Sequence, residues 1–141
     1  MSTLSAFLAG NAKKIEKQAV VISDRFVNEE GKPEPFEFVC ISAKENAELR
    51  RASTVSKPVP GKRGQYTNDV DTALYTAKLA ARCTVYPPLN DAELQDSYGV
   101  HSAEELIQVM LTSGEFDRYV SAIFEANGFS GMAELVEEAK N

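Results

Sequence analysis

The sequence predicts an α+β protein, with a small antiparallel β-hairpin element in the first half and a mainly helical second half. In the first half, apolar and polar residues alternate in two short runs separated by turn-forming residues, which is typical of paired strands. In the second half, capping residues precede stretches whose apolar positions recur at helical spacing. A length of 141 residues and a hydrophobic content of 43% suit a single compact domain.

We therefore predict one domain over residues 1–141, with an α/β part at 1–66 and a helical part at 67–141. A short helix is expected at residues 3–12, because the apolar residues there fall on one helical face and a glycine follows them. Helices this short seldom hold alone in water, so the tertiary core has to support them.

The predicted hairpin covers about residues 19–41. Alternating apolar residues predict a first strand over 19–27 and a second over 36–41. Residues 28–35 between them are turn formers, among which Gly31 can adopt a positive φ. Two such runs joined by a short turn-rich segment are expected to pair as antiparallel neighbours.

Residues that can cap a helix precede the predicted helices. Ser42 and Glu45 form a capping box, in which each side chain can bond the backbone N–H of the other, and they predict a helix to about residue 53. The later predicted caps are Asn68 or Asp69 for a helix to about 83, Asn90 and Asp91 for a helix ended by Gly99, and Ser102 with Glu105 as a further capping box.

Two apolar stripes complete the helical half. The first has the i, i+3, i+4, i+7, i+8 spacing of a buried helix face and comprises Phe116, Tyr119, Val120, Ile123 and Phe124. Gly128 after it is a natural helix-ending residue. The second stripe, on a short final helix, comprises Met132, Leu135, Val136 and Ala139.

Residues 57–66 combine two prolines, two glycines and three cations in ten positions. Proline lacks a backbone donor and fixes φ, whereas glycine adds conformational freedom, so neither a helix nor a central strand is expected. We predict a basic loop, carrying Lys57, Lys62 and Arg63, that connects the two halves.

The charge is unevenly divided along the chain. Residues 1–88 carry 13 Lys/Arg and 10 Asp/Glu, a net +3, whereas residues 89–141 carry 2 and 11, a net −9. An acidic second half repels phosphate and favours a basic partner. With a pI near 4.9 it argues against binding to nucleic acid. The chain has no run of 18 apolar residues and no cationic start before its N-terminal apolar patch, so neither a membrane span nor a secretory signal is expected.

No motif in the sequence predicts catalysis, and we expect no catalytic residue, no cofactor and no metal. The single histidine, His101, precedes a capping box and has no nucleophile motif near it. The glycines and cations of residues 61–64 lack the spacing of a phosphate-binding loop. Cys40 and Cys83 are far apart in sequence and have no CxxC motif or histidines near them, which argues against a zinc site. We expect buried free thiols, and the alternative is a disulfide between them.

Several strings in the chain together indicate a family. The string PVPGKRGQY at 58–66, then a helix, then YPPLND and LQDSYGV within 86–100 resembles the phage tail assembly chaperones of the XkdN-like type. The resemblance also covers LSAFLAGNA at 4–12, Arg25-Phe26, EEGKP at 29–33, Gly128-Phe129 and ELVEEAKN at 134–141.

The resemblance implies a non-enzymatic protein of the bacterial cytoplasm. Such a chaperone binds the phage tape measure protein, keeps it soluble while the tail tube assembles around it, and is absent from the mature tail. The tail tube protein and a second copy of the chain are further candidate partners. Two alternatives are a structural tail or baseplate component retained in the particle and a small DNA-binding regulator that uses the basic loop.

The partner-binding surface is expected to use charged residues from both parts of the chain. In the acidic half the candidates are Glu104, Glu105 and Asp117, which can attract a basic partner. In the basic loop they are Lys62 and Arg63.

Overall fold

The computed structural model describes residues 3–129 of the chain. In chain order the elements are a 3₁₀ helix Thr3–Phe7, β1 Gln18–Val20, β2 Phe36–Phe38, α1 Ala43–Ala52, β3 Thr54–Pro58, β4 Tyr66–Val70, α2 Thr72–Cys83, β5 Thr84–Tyr86, α3 Ala92–Ser97, α4 Ala103–Met110 and α5 Ser113–Asn127. The α+β prediction is confirmed, with small antiparallel sheets and most of the helical residues in the second half. The predicted helix after residue 131 lies outside the described residues.

The main sheet has three antiparallel strands in the order β1–β2–β5. The predicted pairing of the first two strands is confirmed, with Gln18 opposite Phe38 and Val20 opposite Phe36. Both phenylalanines are buried, and their rings meet Tyr119 of α5 edge-on at centroid distances of 5.1 and 5.9 Å. One aromatic cluster therefore joins the sheet to the last described helix.

The first strand is shorter than the predicted 19–27 because the chain turns soon after Val20. The Ser23 hydroxyl accepts a hydrogen bond of 3.0 Å from the Arg25 N–H, which bends the backbone away from the ladder. An isolated bridge joins Val27 to Pro33, which lies in the predicted turn and not in the predicted second strand. The alternating pattern in residues 21–27 arises because some of these apolar side chains pack against the core, although the segment is not a continuous strand.

Helices α1, α3 and α4 begin at predicted caps, which are Ser42, Asp91 and Ser102. In each case the side-chain oxygen accepts from the backbone N–H three residues later. The acids of the two predicted capping boxes are engaged elsewhere. Glu45 forms an ion pair of 2.5 Å with Arg82, and Glu105 accepts from the His101 N–H at 3.3 Å.

Helix α2 begins later than predicted, at a cap formed by Asp71 rather than Asn68 or Asp69. Residues 66–70 are already paired with β3, so they cannot enter the helix. The Asp71 carboxylate accepts from the Leu74 N–H at 3.1 Å. The buried face of α2 consists of Tyr75, Ala77, Leu79, Ala80 and Cys83.

Strands β3 and β4 form a separate two-stranded hairpin where a loop was predicted. Thr54 lies opposite Val70, and Pro58 lies opposite Tyr66 at the end of the ladder. Pro58 fits because the terminal position of an outer strand does not need its missing N–H. Strands thus extend into both ends of the predicted basic loop, and only the tip remains irregular.

The predicted apolar face of α5 is confirmed. Tyr119, Val120, Ile123 and Phe124 are buried, and Phe116 is half-buried. The Tyr119 hydroxyl shares a hydrogen bond of 2.6 Å with the Thr84 hydroxyl, so its polar end is satisfied inside the core. The helix ends at Gly128, whose φ of 77° is in the left-handed region that favours glycine.

The N-terminal segment departs from the predicted helix over 3–12, because its 3₁₀ helix ends at Phe7. The side chains of Leu4, Phe7 and Leu8 are exposed, Phe7 by 80%. Across residues 3–129, no helix has the length and apolar character needed to cross a lipid bilayer.

Candidate partner-binding surfaces

Two of the predicted contact residues, Glu104 and Glu105, lie in the first turn of α4. Acids are favoured there because they complement the positive end of the helix dipole. Glu104 is half-buried and pairs with Lys78 of α2 at 3.0 Å, so it ties two helices together. Glu105 is exposed and accepts from the His101 backbone. Of the two, Glu105 is the more accessible to a partner.

Asp117, the third predicted acid, is exposed on α5. Glu115, two positions earlier, is only 7% exposed and stabilises the start of the helix. Glu115 and Thr112 form a reciprocal capping box at the start of α5, with bonds of 2.8 and 3.3 Å. The two acids are therefore close in sequence but only Asp117 is presented to solvent.

The ion pair of Glu115 with Arg25 is the main electrostatic contact that the sequence analysis missed. The Arg25 guanidinium donates to both carboxylate oxygens, at 2.5 and 3.2 Å, and to the Met110 carbonyl at 2.8 Å. Hydrogen bonding from Arg25, followed by Ser23 and the Thr112 backbone, holds the pKa of Glu115 well below its ordinary value. The Thr-x-x-Glu spacing at 112–115 would have identified the capping half of this site.

Lys62 and Arg63 lie at the exposed tip of the β3–β4 hairpin. The tip is closed by backbone bonds from Val59 N–H to the Gln65 carbonyl at 3.0 Å and from Lys62 N–H to the Val59 carbonyl at 3.1 Å. Gly61 and Gly64 on either side have φ of 76° and 79°, a conformation that other residues rarely adopt. The two cations are thus displayed on an ordered turn.

The structure does not bring all five predicted contact residues into one cluster. The α4 pair lies at the start of a helix that packs on α2, and Asp117 lies on α5. The two cations are at the end of a hairpin whose residues are largely exposed. These positions supply separate charged regions, not one contiguous charged site.

One groove, walled by residues of α2 and by the residues around the start of α4, is polar and open, with a volume of about 650 Å³. Its walls include Lys78, Arg82, His101 and Glu104. Both cations are already engaged by carboxylates, Lys78 by Glu104 and Arg82 by Glu45. Within residues 3–129 there is no group of three or more His, Cys, Asp or Glu side chains placed to hold a metal ion.

Both cysteines are free thiols, but only Cys83 is buried as predicted. Cys83 is fully buried, and burial raises the pKa of its thiol to about 12. Cys40 is half-buried and its Sγ donates to the Ala126 carbonyl at 3.3 Å. A thiol whose pKa is raised in this way is protonated at neutral pH and therefore a poor nucleophile.

A second cavity, of about 210 Å³, is lined almost entirely by apolar and aromatic side chains. We call it the aromatic cleft, and its defining residues are Phe26, Phe36, Tyr86, Leu94, Tyr98 and Met110. It lies where the end of the main sheet meets α3 and the end of α4. Arg25 covers Phe26 with its guanidinium 4.8 Å from the ring centre.

Glu34 lies at the mouth of the aromatic cleft. Its carboxylate accepts a hydrogen bond of 3.3 Å from the Tyr86 hydroxyl. The negative charge of Glu34 is the main cause of a raised pKa for Tyr86, and Glu37 adds a smaller effect in the same direction. The mouth therefore carries a negative potential beside an apolar interior.

A protein-family profile matches nearly the whole chain. The profile described as "Phage XkdN-like tail assembly chaperone protein, TAC" matches residues 4–140. The chain belongs to the XkdN-like tail assembly chaperone family.

Two curated relatives in this family come from Bacillus subtilis strain 168. The uncharacterized protein YqbN is 34% identical over 137 residues, covering 96% of this chain and 91% of the relative. The phage-like element PBSX protein XkdN is 33% identical over 140 residues, covering 98% of this chain and 93% of the relative. The matches run over nearly the full length of each protein.

A solved relative has the same fold. The crystal structure of YqbN aligns with a TM-score of 0.75 at 29% sequence identity, covering 91% of this chain and 98% of that one. Membership of the XkdN-like family indicates a role in phage tail assembly and implies phage tail proteins as partners. The family description names an assembly task and no chemical reaction.

Proposed function

We propose that this protein binds the tape measure protein of a phage or prophage tail and keeps it soluble in the host cytoplasm until the tail tube encloses it. It acts as a binding protein without catalysis, and it leaves before the tail is finished. The observation that carries the proposal is membership of the XkdN-like chaperone family over residues 4–140.

The surface supports a task of this kind. A protein that shields apolar helices needs apolar contact area together with charge that keeps the complex in solution. In this protein the aromatic cleft offers apolar contact area, and the net charge of −6 favours solubility. Several copies bound along one long partner would add their affinities through avidity, and each weak site could still be vacated when tube subunits arrive.

The charged residues named above give the proposal a specific form. We assign the partner contact to the acidic helical half, where Glu105 and Asp117 are exposed and Glu104 shares its charge with Lys78. Lys62 and Arg63 at the tip of the hairpin are the second proposed contact, toward an acidic patch of the partner or of the tail tube protein.

Co-expression tests the function directly. The cognate tape measure protein is produced alone and with this chain, and its soluble fraction is measured. We expect the chain to raise the soluble fraction severalfold and to co-purify with it. An equally insoluble tape measure protein in both cultures would contradict the chaperone role.

A charge-reversal variant tests the proposed contact residues separately. Changing Glu105 and Asp117 to Lys should slow association and reduce its dependence on salt, because the attraction between unlike charges is lost. Glu29→Lys plus Glu48→Lys, at exposed positions outside the acidic helical half, makes the same change in net charge and serves as the control. Equal effects of both double variants would point to net charge instead of a local contact.

A further inference from the structure

We propose that the aromatic cleft receives one apolar side chain from a helical segment of the partner, and that Glu34 pairs with a Lys or Arg one helical turn from that anchor. This inference rests on the proposed function, because the helical segment belongs to the tape measure protein. It adds the position of the contact and the sequence pattern that the partner has to present.

The size of the cleft fits a side chain. Sites for small molecules usually have volumes of roughly 300–1,000 Å³, whereas the aromatic cleft has about 210 Å³. Binding energy at protein interfaces is concentrated in anchors that fill pockets of this kind. A single Leu, Met or Phe from a partner helix is therefore the occupant that the cavity can hold.

The walls of the cleft combine a fixed floor with an accessible rim. Phe36 and Met110 are buried and form part of the core. Tyr86 and Tyr98 are 43% and 37% exposed, so an incoming side chain would cover aromatic surface that solvent now contacts. Burying such surface favours binding, because apolar area is removed from water.

The charges around the cleft favour a Lys or Arg on the partner helix, close to the apolar side chain that fills the cleft. Arg25, the nearby cation, is engaged by Glu115 and by the Met110 carbonyl, so it does not neutralise the mouth. Glu34 accepts from the Tyr86 hydroxyl, and within residues 3–129 no cation forms an ion pair with it. A helix places residues three and four positions apart on the same face, so a Lys or Arg one turn from the anchor can reach Glu34.

The terminal segments of the chain itself match this pattern poorly. Residues 130–141 contain three glutamates and one lysine, so the negative mouth would repel them. In the N-terminal segment, Phe7 ends the 3₁₀ helix and a turn at Gly10 separates it from the first cation, Lys13. Its apolar and basic residues are therefore not one helical turn apart.

The test uses overlapping fluorescent peptides of about 25 residues that cover the cognate tape measure protein, titrated with the full chain. We expect the peptides that bind to contain an apolar residue with Lys or Arg three or four positions away. The variant Tyr86→Ser/Tyr98→Ser should weaken their binding at least about tenfold, because it removes the rim of the anchor pocket. Phe7→Ser, which alters an exposed aromatic side chain of the N-terminal 3₁₀ helix, should change binding less than about twofold.

The ionic half of the proposal is tested by a double-mutant cycle. Glu34→Gln and replacement of the peptide cation by Gln should each weaken binding about three- to tenfold, and the two together little more than either alone. Glu48→Gln, on the exposed face of α1, is the matched control. Additive losses would mean that the two charges do not meet. Melting curves of each variant, compared with the wild type, verify that the fold is retained.

The outcomes separate this inference from the function on which it rests. Peptides that bind the wild type and the cleft variants equally would overturn the cleft assignment while the chaperone function stands. Concentration-dependent self-association that only the cleft variants lose would also overturn it, by making a second copy the occupant. Wild-type protein that neither binds any peptide nor raises tape measure solubility would overturn both.

Discussion

The two antiparallel strand pairs of this protein differ in what holds them together. β1 and β2 have three residues each, yet β2 buries two phenylalanines against Tyr119 of α5. β3 and β4 have five residues each, and not one of those ten residues is buried. The longer ladder therefore has the weaker attachment to the core.

In this chain, a strand's contribution to the free energy of unfolding therefore depends on the side chains it buries, not on its length or its backbone pairing. An isolated two-stranded hairpin is marginal in water, because it buries too little apolar area to offset the ordering of its backbone. The β3–β4 hairpin is anchored at its base by the buried residue Ser53. The Ser53 hydroxyl donates to the Leu49 carbonyl at 2.8 Å, and the Ser53 backbone carbonyl accepts from the Asp71 N–H at 2.8 Å. Its outer part is available for contact with a partner.

The largest effect is expected in the short strand pair. Phe38→Ala should lower the free energy of unfolding by about 3–5 kcal/mol, because it removes a fully buried ring and leaves a cavity beside Tyr119. Phe124→Ala, on the buried face of α5, should fall in the same range. Denaturant unfolding measures both. A loss below about 1 kcal/mol for either variant would contradict its place in the core.

The next effect concerns the ion pair that links the segment after β1 to α5. The pKa of Glu115 is lower in the folded state than its ordinary value of 4.5, so the unfolded state binds the proton more readily. The stabilisation from this group is present above about pH 4.5 and is lost as the pH falls below it. Glu115→Gln should be less stable at pH 7 and should show a flatter decline of stability in acid. Equally steep acid profiles for wild type and variant, with Glu48→Gln as control, would contradict this role.

A local effect is expected at the tip of the hairpin. Gly64 has a φ of 79° and open space around it, so alanine would meet backbone strain without a steric clash. The strain is about 1–2 kcal/mol. We expect amide exchange at Val59 and Gln65 to accelerate about 5- to 30-fold, because opening of the tip becomes easier. Gly10→Ala, also in open space but without a positive φ, is the control. Unchanged exchange at the tip would show that it tolerates the strain.

The smallest effect is expected on the exposed side of the hairpin. Tyr66→Ala should change the free energy of unfolding by no more than about 0.5 kcal/mol, because the side chain is 68% exposed. A loss comparable to that of Phe38→Ala would mean that the hairpin is part of the core, and the contrast between the two strand pairs would fail.

Local features of the fold were predictable from the sequence. The caps at Ser42, Asp91 and Ser102 depend on side chains within three residues of the helix start. The buried face of α5 follows from helical spacing alone. The first strand pair was found because its two runs are separated by turn residues. Both strands were predicted too long, since β1 ends at Val20 instead of residue 27 and β2 at Phe38 instead of residue 41.

Features that depend on distant partners were missed. β5 follows α2 without a turn and has only three residues, so nothing local marks it. The pairing of β3 with β4 displaces the start of α2 to Asp71, which capping preference could not foresee. Arg25 and Glu115 are 90 positions apart, and their contact exists only after folding.

The candidate surfaces divide in the same way. Charge counting found the exposed acids and the basic tip, which are readable one residue at a time. The aromatic cleft draws its residues from β2, β5, α3, α4 and the segment after β1, so no contiguous stretch of sequence carries its pattern. Glu104 was predicted as a contact residue because it is charged, but in the structure its carboxylate forms an ion pair with Lys78.

We propose that this protein accompanies the tape measure protein during assembly and is absent from the completed tail. Both parts of the proposal are measured by quantitative mass spectrometry of tail intermediates and of purified mature tails from the same induced culture. We expect the chain to co-purify with the tape measure protein before tube assembly and to fall to background in mature tails. A stoichiometric amount of the chain in mature tails would instead identify a structural tail or baseplate component.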